Sequence, residues 1–216
     1  MMNNKRKRVE KPNKMIFENS IDLELDNNSG RIIFKKEFLS KEECKTFNKV
    51  FMEKIKWEKK KIKIYGKEIF QPRLVAFSNK YHNSYPYSGQ ILESQEWIPE
   101  INDLASKLGG FLDEDFDSVQ MNLYEDGNHH ICSHSDDEPL WGEDPTIASL
   151  SFGAPRRFLL KSKKSNDLKE FVLTDGSLIV MKGKTQKFWK HEVPKMLNCT
   201  KPRINLTFRK MKKLII

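Results

Sequence analysis

From Asp117 onward the chain divides into eight short apolar runs, at 117–124, 129–134, 146–153, 156–163, 169–174, 177–182, 187–192 and 203–210. Turn-forming residues separate them, Asp126-Gly127-Asn128 among these. Runs of this length fit strands better than helices, and strands in such number must bury their apolar sides against one another. The predicted fold is therefore mainly β with flanking helices (α+β). Its core is a double-stranded β-helix, or jelly roll, of two packed sheets with helices on one outer face.

The last run, Arg203-Ile204-Asn205-Leu206-Thr207-Phe208-Arg209, adds a chemical demand. Strand alternation sends Ile204, Leu206 and Phe208 to one face and Arg203, Asn205, Thr207 and Arg209 to the other. A polar row with two guanidinium groups turned into a jelly roll needs an anionic partner, because an unpaired buried cation is too costly to keep. A small dicarboxylate fits, since arginine grips carboxylates through a bidentate fork.

A second demand comes from His134-Ser135-Asp136. In an extended strand positions 134 and 136 point the same way, so both can reach one metal ion. His191, in the apolar stretch Phe188-Trp189-Lys190-His191, is the best candidate for the third ligand. Two imidazoles and a carboxylate on one face of an ion leave open positions and suit non-haem Fe(II).

The amino-terminal half reads as support for this core. Residues 1–14 are basic and poor in apolar side chains and are expected to form a disordered arm, in which Lys5-Arg6-Lys7-Arg8 could act as a nuclear address or a phosphate-binding tail. Residues 15–60 form a support segment, irregular and acidic over 15–30, with a short strand at Arg31-Ile32-Ile33-Phe34. Ser40-Lys41-Glu42-Glu43 is a capping box that opens a helix over 40–56, with Cys44, Phe47, Phe51 and Ile55 on its inner face. Strands are predicted at 61–65 and 73–77 around a turn at Gly66-Lys67, and an aromatic loop over 81–99. A second helix, 99–108, should stop at Gly109-Gly110.

With 39 basic against 30 acidic residues the net charge is +9, which makes a polyanion, nucleic acid first, the partner to consider. Three widely spaced cysteines argue for a reducing compartment and against both a disulfide framework and a zinc knuckle. No run is long and apolar enough for a membrane span and no secretory signal is evident, so an intracellular protein, nuclear or cytoplasmic, is expected.

These motifs also stand in the order found in one family. The chain resembles the AlkB-type Fe(II)- and 2-oxoglutarate-dependent nucleic-acid demethylases, most of all their eukaryotic DNA-repair members. The resemblance runs over residues 60–210 through Gln71-Pro72-Arg73, Tyr85-Pro86-Tyr87-Ser88-Gly89, Asn122-Leu123-Tyr124, His134-Ser135-Asp136-Asp137-Glu138-Pro139, Ile147-Ala148-Ser149-Leu150-Ser151-Phe152-Gly153, Asp175-Gly176-Ser177-Leu178, Trp189-Lys190-His191 and Arg203 to Arg209. It implies His134, Asp136 and His191 as iron ligands and Asn122, Tyr124, Arg203, Asn205, Thr207 and Arg209 as the 2-oxoglutarate site. Which arginine meets which carboxylate is left open. The cofactor set is then Fe(II), 2-oxoglutarate and O2, and the reaction is oxidative removal of methyl groups from 1-methyladenine and 3-methylcytosine as formaldehyde, with 2-oxoglutarate converted to succinate and CO2.

The resemblance further implies a nucleotide-recognition lid over 61–98, before a core of helix and jelly roll over 99–216. It implies substrate contacts at Tyr65, Arg73, Tyr85, Tyr87, Asp137 and Glu138. Tyr65 would be a finger that fills the gap left by a flipped base, Tyr87 a stacking partner, and Asp137, supported by Glu138, an acceptor for the exocyclic amine. Lys61, Lys63, Lys67, Arg73, Arg156, Arg157 and Lys161 are expected phosphate contacts. The expected partner is alkylated DNA or RNA, single strand favoured, with the protein a monomer. Two other readings are an inactive binding module for methylated nucleic acid and an AlkB-like oxygenase of a different substrate class.

Overall fold

A computed structural model describes residues 12–64, 67–87 and 90–212 of the chain. In chain order the strands begin with β1 (Asn13–Phe17), β2 (Ile21–Glu24) and β3 (Arg31–Lys35), followed by helix α1 (Lys41–Lys54). Two small hairpins, β4 (Lys61–Ile64) with β5 (Lys67–Phe70) and β7 (Tyr85–Tyr87) with β8 (Gln90–Leu92), flank the longer β6 (Leu74–Asn79). Helix α2 (Pro99–Leu112) leads into β9 (Ser118–Tyr124), β10 (Ile131–His134), β11 (Ile147–Gly153), β12 (Arg156–Ser162), β13 (Asp167–Leu173) and β14 (Leu178–Lys182). The short helix α3 (Thr185–Phe188), β15 (Trp189–Val193) and β16 (Arg203–Arg209) complete the fold.

Two sheets carry the core. One has the order β1-β13-β12-β15-β10, the other β2-β3-β14-β11-β16-β9-β6. The eight predicted runs appear as β9 to β16 with boundaries shifted by at most a few residues.

Alternation divides the seven-stranded sheet into two unlike faces. Val119, Met121 and Leu123 of β9, Ala148, Leu150 and Phe152 of β11, and Ile204, Leu206 and Phe208 of β16 point outward into one apolar cluster with α1 and α2. The expected face of α1 docks there, Phe51 meeting Phe152 edge-on at 5.5 Å. Burying each such side chain contributes about 1.5–3 kcal/mol. The opposite face turns toward the five-stranded sheet. There Ile32, Phe34, Ile147, Ile179 and Met181 meet Phe158, Leu160 and Phe171 in a second apolar cluster, which fills one end of the sandwich. The polar rows of β9, β11 and β16 fill the other.

The capping box at Ser40 forms as expected, with Glu43 N–H donating to Ser40 Oγ and Ser40 N–H to Glu43 Oε2. Helix α2 does not stop at Gly109-Gly110 but runs on to Leu112, ending at Asp113 with φ 54°. Gly109 serves another purpose. A Cβ on Gly109 would lie 2.8 Å from the Glu114 carbonyl oxygen, so the bare backbone lets the chain fold back against the helix.

Strand order also departs from expectation in the first half. β1 includes Asn13 and Lys14 of the expected disordered arm, pairing parallel with β13. β2 lies in the segment expected to be irregular, and the expected aromatic loop contains β7 and β8. The basic run Lys5-Arg6-Lys7-Arg8 lies outside the described residues, as does Tyr65.

Candidate metal centre and its cavity

β10 and β15 are antiparallel neighbours with His134 directly opposite His191, which is how two segments more than fifty residues apart come together. A bulge between Ile131 and His134 releases β10 from regular pairing, and Asp136 follows just past its end. His134, Asp136 and His191 each offer a ligand atom, all within 4.8 Å of one another. Asp136 Oδ1 lies 3.6 Å from His134 Nε2, and Oδ2 lies 3.9 Å from His191 Nε2.

Surrounding groups hold this arrangement. His134 Nδ1 faces the Cys132 carbonyl oxygen at 2.9 Å, which assigns its proton to Nδ1 and leaves Nε2 free for a metal. Asp136 N–H donates to Gln186 Oε1 at 2.9 Å, and Ser135 Oγ donates to the Trp189 carbonyl oxygen, so α3 and β15 fix the ligand loop from one side. Arg209 Nη2 contacts Asp136 Oδ2 at 2.5 Å.

Electrostatics favour the ligand forms. Burial alone would raise the Asp136 pKa, but Arg209, His191 and His134 together hold its carboxyl below the usual range. Burial and the neighbouring His134 push the His191 imidazole down to about 3, leaving it neutral, with a free lone pair, at physiological pH. The donor set fits a divalent iron: two neutral imidazole nitrogens and one carboxylate, facing a shared cavity.

That cavity is lined by Gln120, Asn122 and Tyr124 of β9, Ser149 of β11, Asn205, Thr207 and Arg209 of β16, and the triad. Pairing register places these groups side by side. Asn205 lies opposite Asn122 on one flank and Ser151 on the other, and Thr207 opposite Gln120 and Ser149. Ser149 Oγ donates to Asn205 Oδ1 at 2.8 Å, and Asn205 Nδ2 donates to Thr207 Oγ1 at 2.7 Å.

Arg203 lies at the far end of the same row, 1% exposed, its guanidinium 5.1 Å from the centre of the Tyr124 ring. Nη2 donates to Ser151 Oγ and Asn205 Oδ1, both at 2.9 Å. Nε and Nη1 have no hydrogen-bond partner, and among the described residues no carboxylate pairs with the group. Burial pushes it down to about 10 against the opposing pull of Tyr124, so it remains a cation at neutral pH. A buried guanidinium with two free donors fits the carboxylate of an organic acid.

The model of the 2OG-Fe(II) oxygenase superfamily matches residues 31–209, most of the sequence. The chain belongs to that superfamily. It is of the AlkB type, by similarity to curated relatives. It is 30% identical to the DNA oxidative demethylase ALKBH2 of Arabidopsis thaliana, over 93% of this chain and 72% of that protein. Identity is 39% to alpha-ketoglutarate-dependent dioxygenase alkB homolog 3 of Mus musculus and 33% to DNA oxidative demethylase ALKBH2 of Homo sapiens. These matches cover 64% and 70% of the chain, and 51% and 61% of those proteins, so the chain spans only part of its mammalian relatives. A 2OG-Fe(II) oxygenase from Burkholderia pseudomallei shares the fold at a TM-score of 0.56 and 12% identity, covering 82% of this chain and 84% of that one. The cofactors of this AlkB-type oxygenase are Fe(II), 2-oxoglutarate and O2, and the triad is its iron site.

The expected substrate residues of the oxygenase fare differently. Asp137 lies beside the triad with its side chain 64% exposed. Tyr85 and Glu138 are engaged with each other: the Tyr85 hydroxyl donates to Glu138 Oε1 at 2.7 Å, and Trp141 Nε1 donates to Oε2 at 3.1 Å. Trp141 in turn packs its ring 5.1 Å from the Arg209 guanidinium, so this group props the wall behind the metal site. Tyr87 belongs to β7, and its side chain lies outside the description, as do those of Lys63 and Lys67.

Two of the expected phosphate contacts, Arg73 and Arg156, are corrected by their burial. Arg73 is 3% exposed and donates from Nε to Asn122 Oδ1 at 2.6 Å, so it braces a residue of the cavity wall from behind. Arg156 is 1% exposed and donates to the carbonyl oxygens of Asp126, His129 and Pro194, a clamp on the β9–β10 and β15–β16 loops. Arg157 is paired through both Nε and Nη2 with Glu170. Lys161 is paired with Glu192 at 2.8 Å. Gln186, Trp141 and the Ser149–Ser151 pair were not foreseen as site residues. The serines had a readable signal, two polar residues alternating with apolar ones as in β16.

Proposed function

We propose that this oxygenase is an oxidative demethylase of N-alkylated bases, 1-methyladenine and 3-methylcytosine, in DNA and RNA. The observation that carries the reading is a metal-binding triad on a cavity lined by Asn122, Tyr124, Asn205, Thr207 and Arg209, with the buried guanidinium of Arg203, its Nε and Nη1 unpartnered, at the far end of the same polar row. Relatives named as DNA oxidative demethylases and the net charge of +9 support nucleic acid as the substrate.

Each residue then has a definable task. His134, Asp136 and His191 would hold the iron. Arg203, with Tyr124 and Asn122 beside it, would take the distal carboxylate of 2-oxoglutarate, and Arg209, Asn205 and Thr207 would line its length. Bound iron and co-substrate supply the oxidising power with O2, converting 2-oxoglutarate to succinate and CO2 while the N-methyl group is hydroxylated and lost as formaldehyde. Arg209 balances the Asp136 charge and, packed on Trp141, keeps that carboxylate aimed at its histidines. Asp137 would accept from the exocyclic amine of the extruded base and offset its positive charge. The apolar walls around the triad exclude water, and positioning is the larger part of the protein's contribution.

Single strands are the favoured substrate in this proposal, because Gln71-Pro72-Arg73-Leu74 and the stretch from His134 to Pro139 resemble the members that prefer them. The two hairpins β4–β5 and β7–β8 would form the recognition lid. The test begins without oxygen: iron and 2-oxoglutarate together should give a visible charge-transfer band. Adding air and oligonucleotides methylated at adenine N1 or cytosine N3 should release formaldehyde, faster from single strands than from duplex. A band with no formaldehyde would redirect the assignment to an oxygenase of another substrate class, and no band to a binding module.

A further inference from the structure

Asp137 and Glu138 follow the metal ligand directly, yet the fold gives them unlike surroundings. Both oxygens of Glu138 accept bonds, from Tyr85 and Trp141. Asp137 faces outward, and the cation beside it is Lys163, whose Nζ lies 3.8 Å from Oδ2. Lys163 stands on the turn after β12, with its side chain 26% exposed against 64% for Asp137. Its ammonium is anchored, donating to the Gln186 carbonyl oxygen at 2.8 Å. The same Gln186 accepts from Asp136 N–H through its side chain. A fixed positive charge therefore sits against the one carboxylate at this rim that no other described group engages.

That placement bears on what can enter, given the demethylase reading on which this inference rests. Methylation at adenine N1 or cytosine N3 makes the pairing edge cationic, whereas 3-methylthymine is neutral. A cationic base reaching Asp137 meets an ammonium already there, and the two repel. A neutral base meets no such competition.

We propose that Lys163 is a specificity-determining residue, the resident counter-ion of Asp137, which a cationic base must displace and a neutral base need not. It tempers the preference for cationic lesions and keeps neutral ones within the enzyme's range. Because the pair is partly solvated, the effect is of modest size, about three- to fivefold in relative specificity.

The experiment compares wild type, Lys163→Met and Lys163→Arg on single-stranded oligonucleotides carrying either 1-methyladenine or 3-methylthymine, by formaldehyde release. The Met variant should raise the ratio of kcat/KM for the cationic over the neutral base by about three- to fivefold, through KM with kcat unchanged, and the gain should shrink with added salt. The Arg variant should restore the wild-type ratio. An unchanged ratio in Lys163→Met overturns the inference. So does a parallel loss on both substrates, which would mark Lys163 as a phosphate contact, or an Arg variant that behaves like Met. Wild-type protein that releases no formaldehyde from either oligonucleotide overturns the demethylase reading and this inference with it, whereas active wild type with an unchanged ratio overturns this inference alone.

Discussion

Arg203 and Arg209 come from the same face of β16, six residues apart, and both are almost wholly buried, yet they sit in opposite electrostatic conditions. Arg209 is matched: Asp136 is in contact with it and Trp141 covers it, and the carboxylate keeps its guanidinium more basic than usual although burial works the other way. Arg203 is unmatched, with Nε and Nη1 free and burial lowering its pKa. A buried charge is tolerated when something answers it, either in the fold or on binding. Arg209 is thus answered at the metal site, whereas the fold leaves two nitrogens of Arg203 unanswered, which is what the proposed 2-oxoglutarate site requires.

The most drastic way to break this contrast is to remove the acid that creates it. Asp136→Ala deletes an iron ligand and leaves Arg209 as unmatched as Arg203. Formaldehyde release should fall to background and the charge-transfer band should vanish, with a stability loss of about 3–5 kcal/mol for the orphaned buried charge. Affinity for a methylated oligonucleotide should be retained, because Asp136 faces the metal and its own cations. Turnover that survives the substitution would remove Asp136 from the iron site.

Substituting the arginines themselves should separate stability from binding. In Arg209→Met the Asp136 carboxylate is stranded, and unfolding should become easier by about 3–5 kcal/mol. In Arg203→Met the protein without ligand should be no less stable than wild type, since a costly unpaired cation has gone. Its KM for 2-oxoglutarate should instead rise by about a hundredfold, the loss expected for a desolvated charge-assisted pair. Equal destabilisation by both substitutions would show that Arg203 is answered within the fold after all.

Ligand linkage sharpens the same point with a smaller signal. An inert dicarboxylate analogue of 2-oxoglutarate, supplied at a hundred times its wild-type Kd, should stabilise wild type by about 2.7 kcal/mol and Arg203→Met by only about 0.4 kcal/mol. Denaturant titration with and without the analogue measures it.

The contrast between the arginines was half legible in the sequence. Alternation in 203–209 placed both guanidinium groups inside and required an anion, because period-2 geometry is local and needs no knowledge of partners. Asp136, by contrast, lies past the end of β10, so strand alternation does not account for its place beside His134. Pairing across the fold is what sequence did not supply. Nothing in residues 203–209 says that Arg209 meets Asp136 and Arg203 does not, since that depends on the bulge in β10 and on which strands flank β16. Arg156 shows the same gap: an arginine in a basic protein reads as a phosphate contact until three loop carbonyls are found around it. Strand β1 escaped for a related reason. Its side chains are mostly exposed, so it carries no apolar alternation, and it is held by backbone pairing to β13 and by contacts such as Phe17 on Phe171 at 5.0 Å.

The pair Arg157–Glu170 supplies a half-exposed counterpart to Arg209–Asp136, and its expected effect is the smallest. Two hydrogen bonds of 2.8 Å join them, Lys14 of β1 adds a third contact, and Arg157 keeps 42% of its side chain exposed. Hydrogen bonding by Arg157, aided by Lys14 and opposed by burial, brings the Glu170 carboxyl from its ordinary 4.5 down to about 2. The folded state therefore holds this carboxylate ionised more readily than the unfolded chain does. Its stabilising contribution is complete above the ordinary value and drains away as pH falls from there toward 2. Glu170→Gln should accordingly lower the melting temperature slightly at neutral pH, and the gap to wild type should narrow as the pH is taken from about 4.5 toward 2. Parallel melting curves across that range would mean that the pair adds nothing. A half-exposed pair across β12 and β13 would then count for less still beside the buried one at the metal.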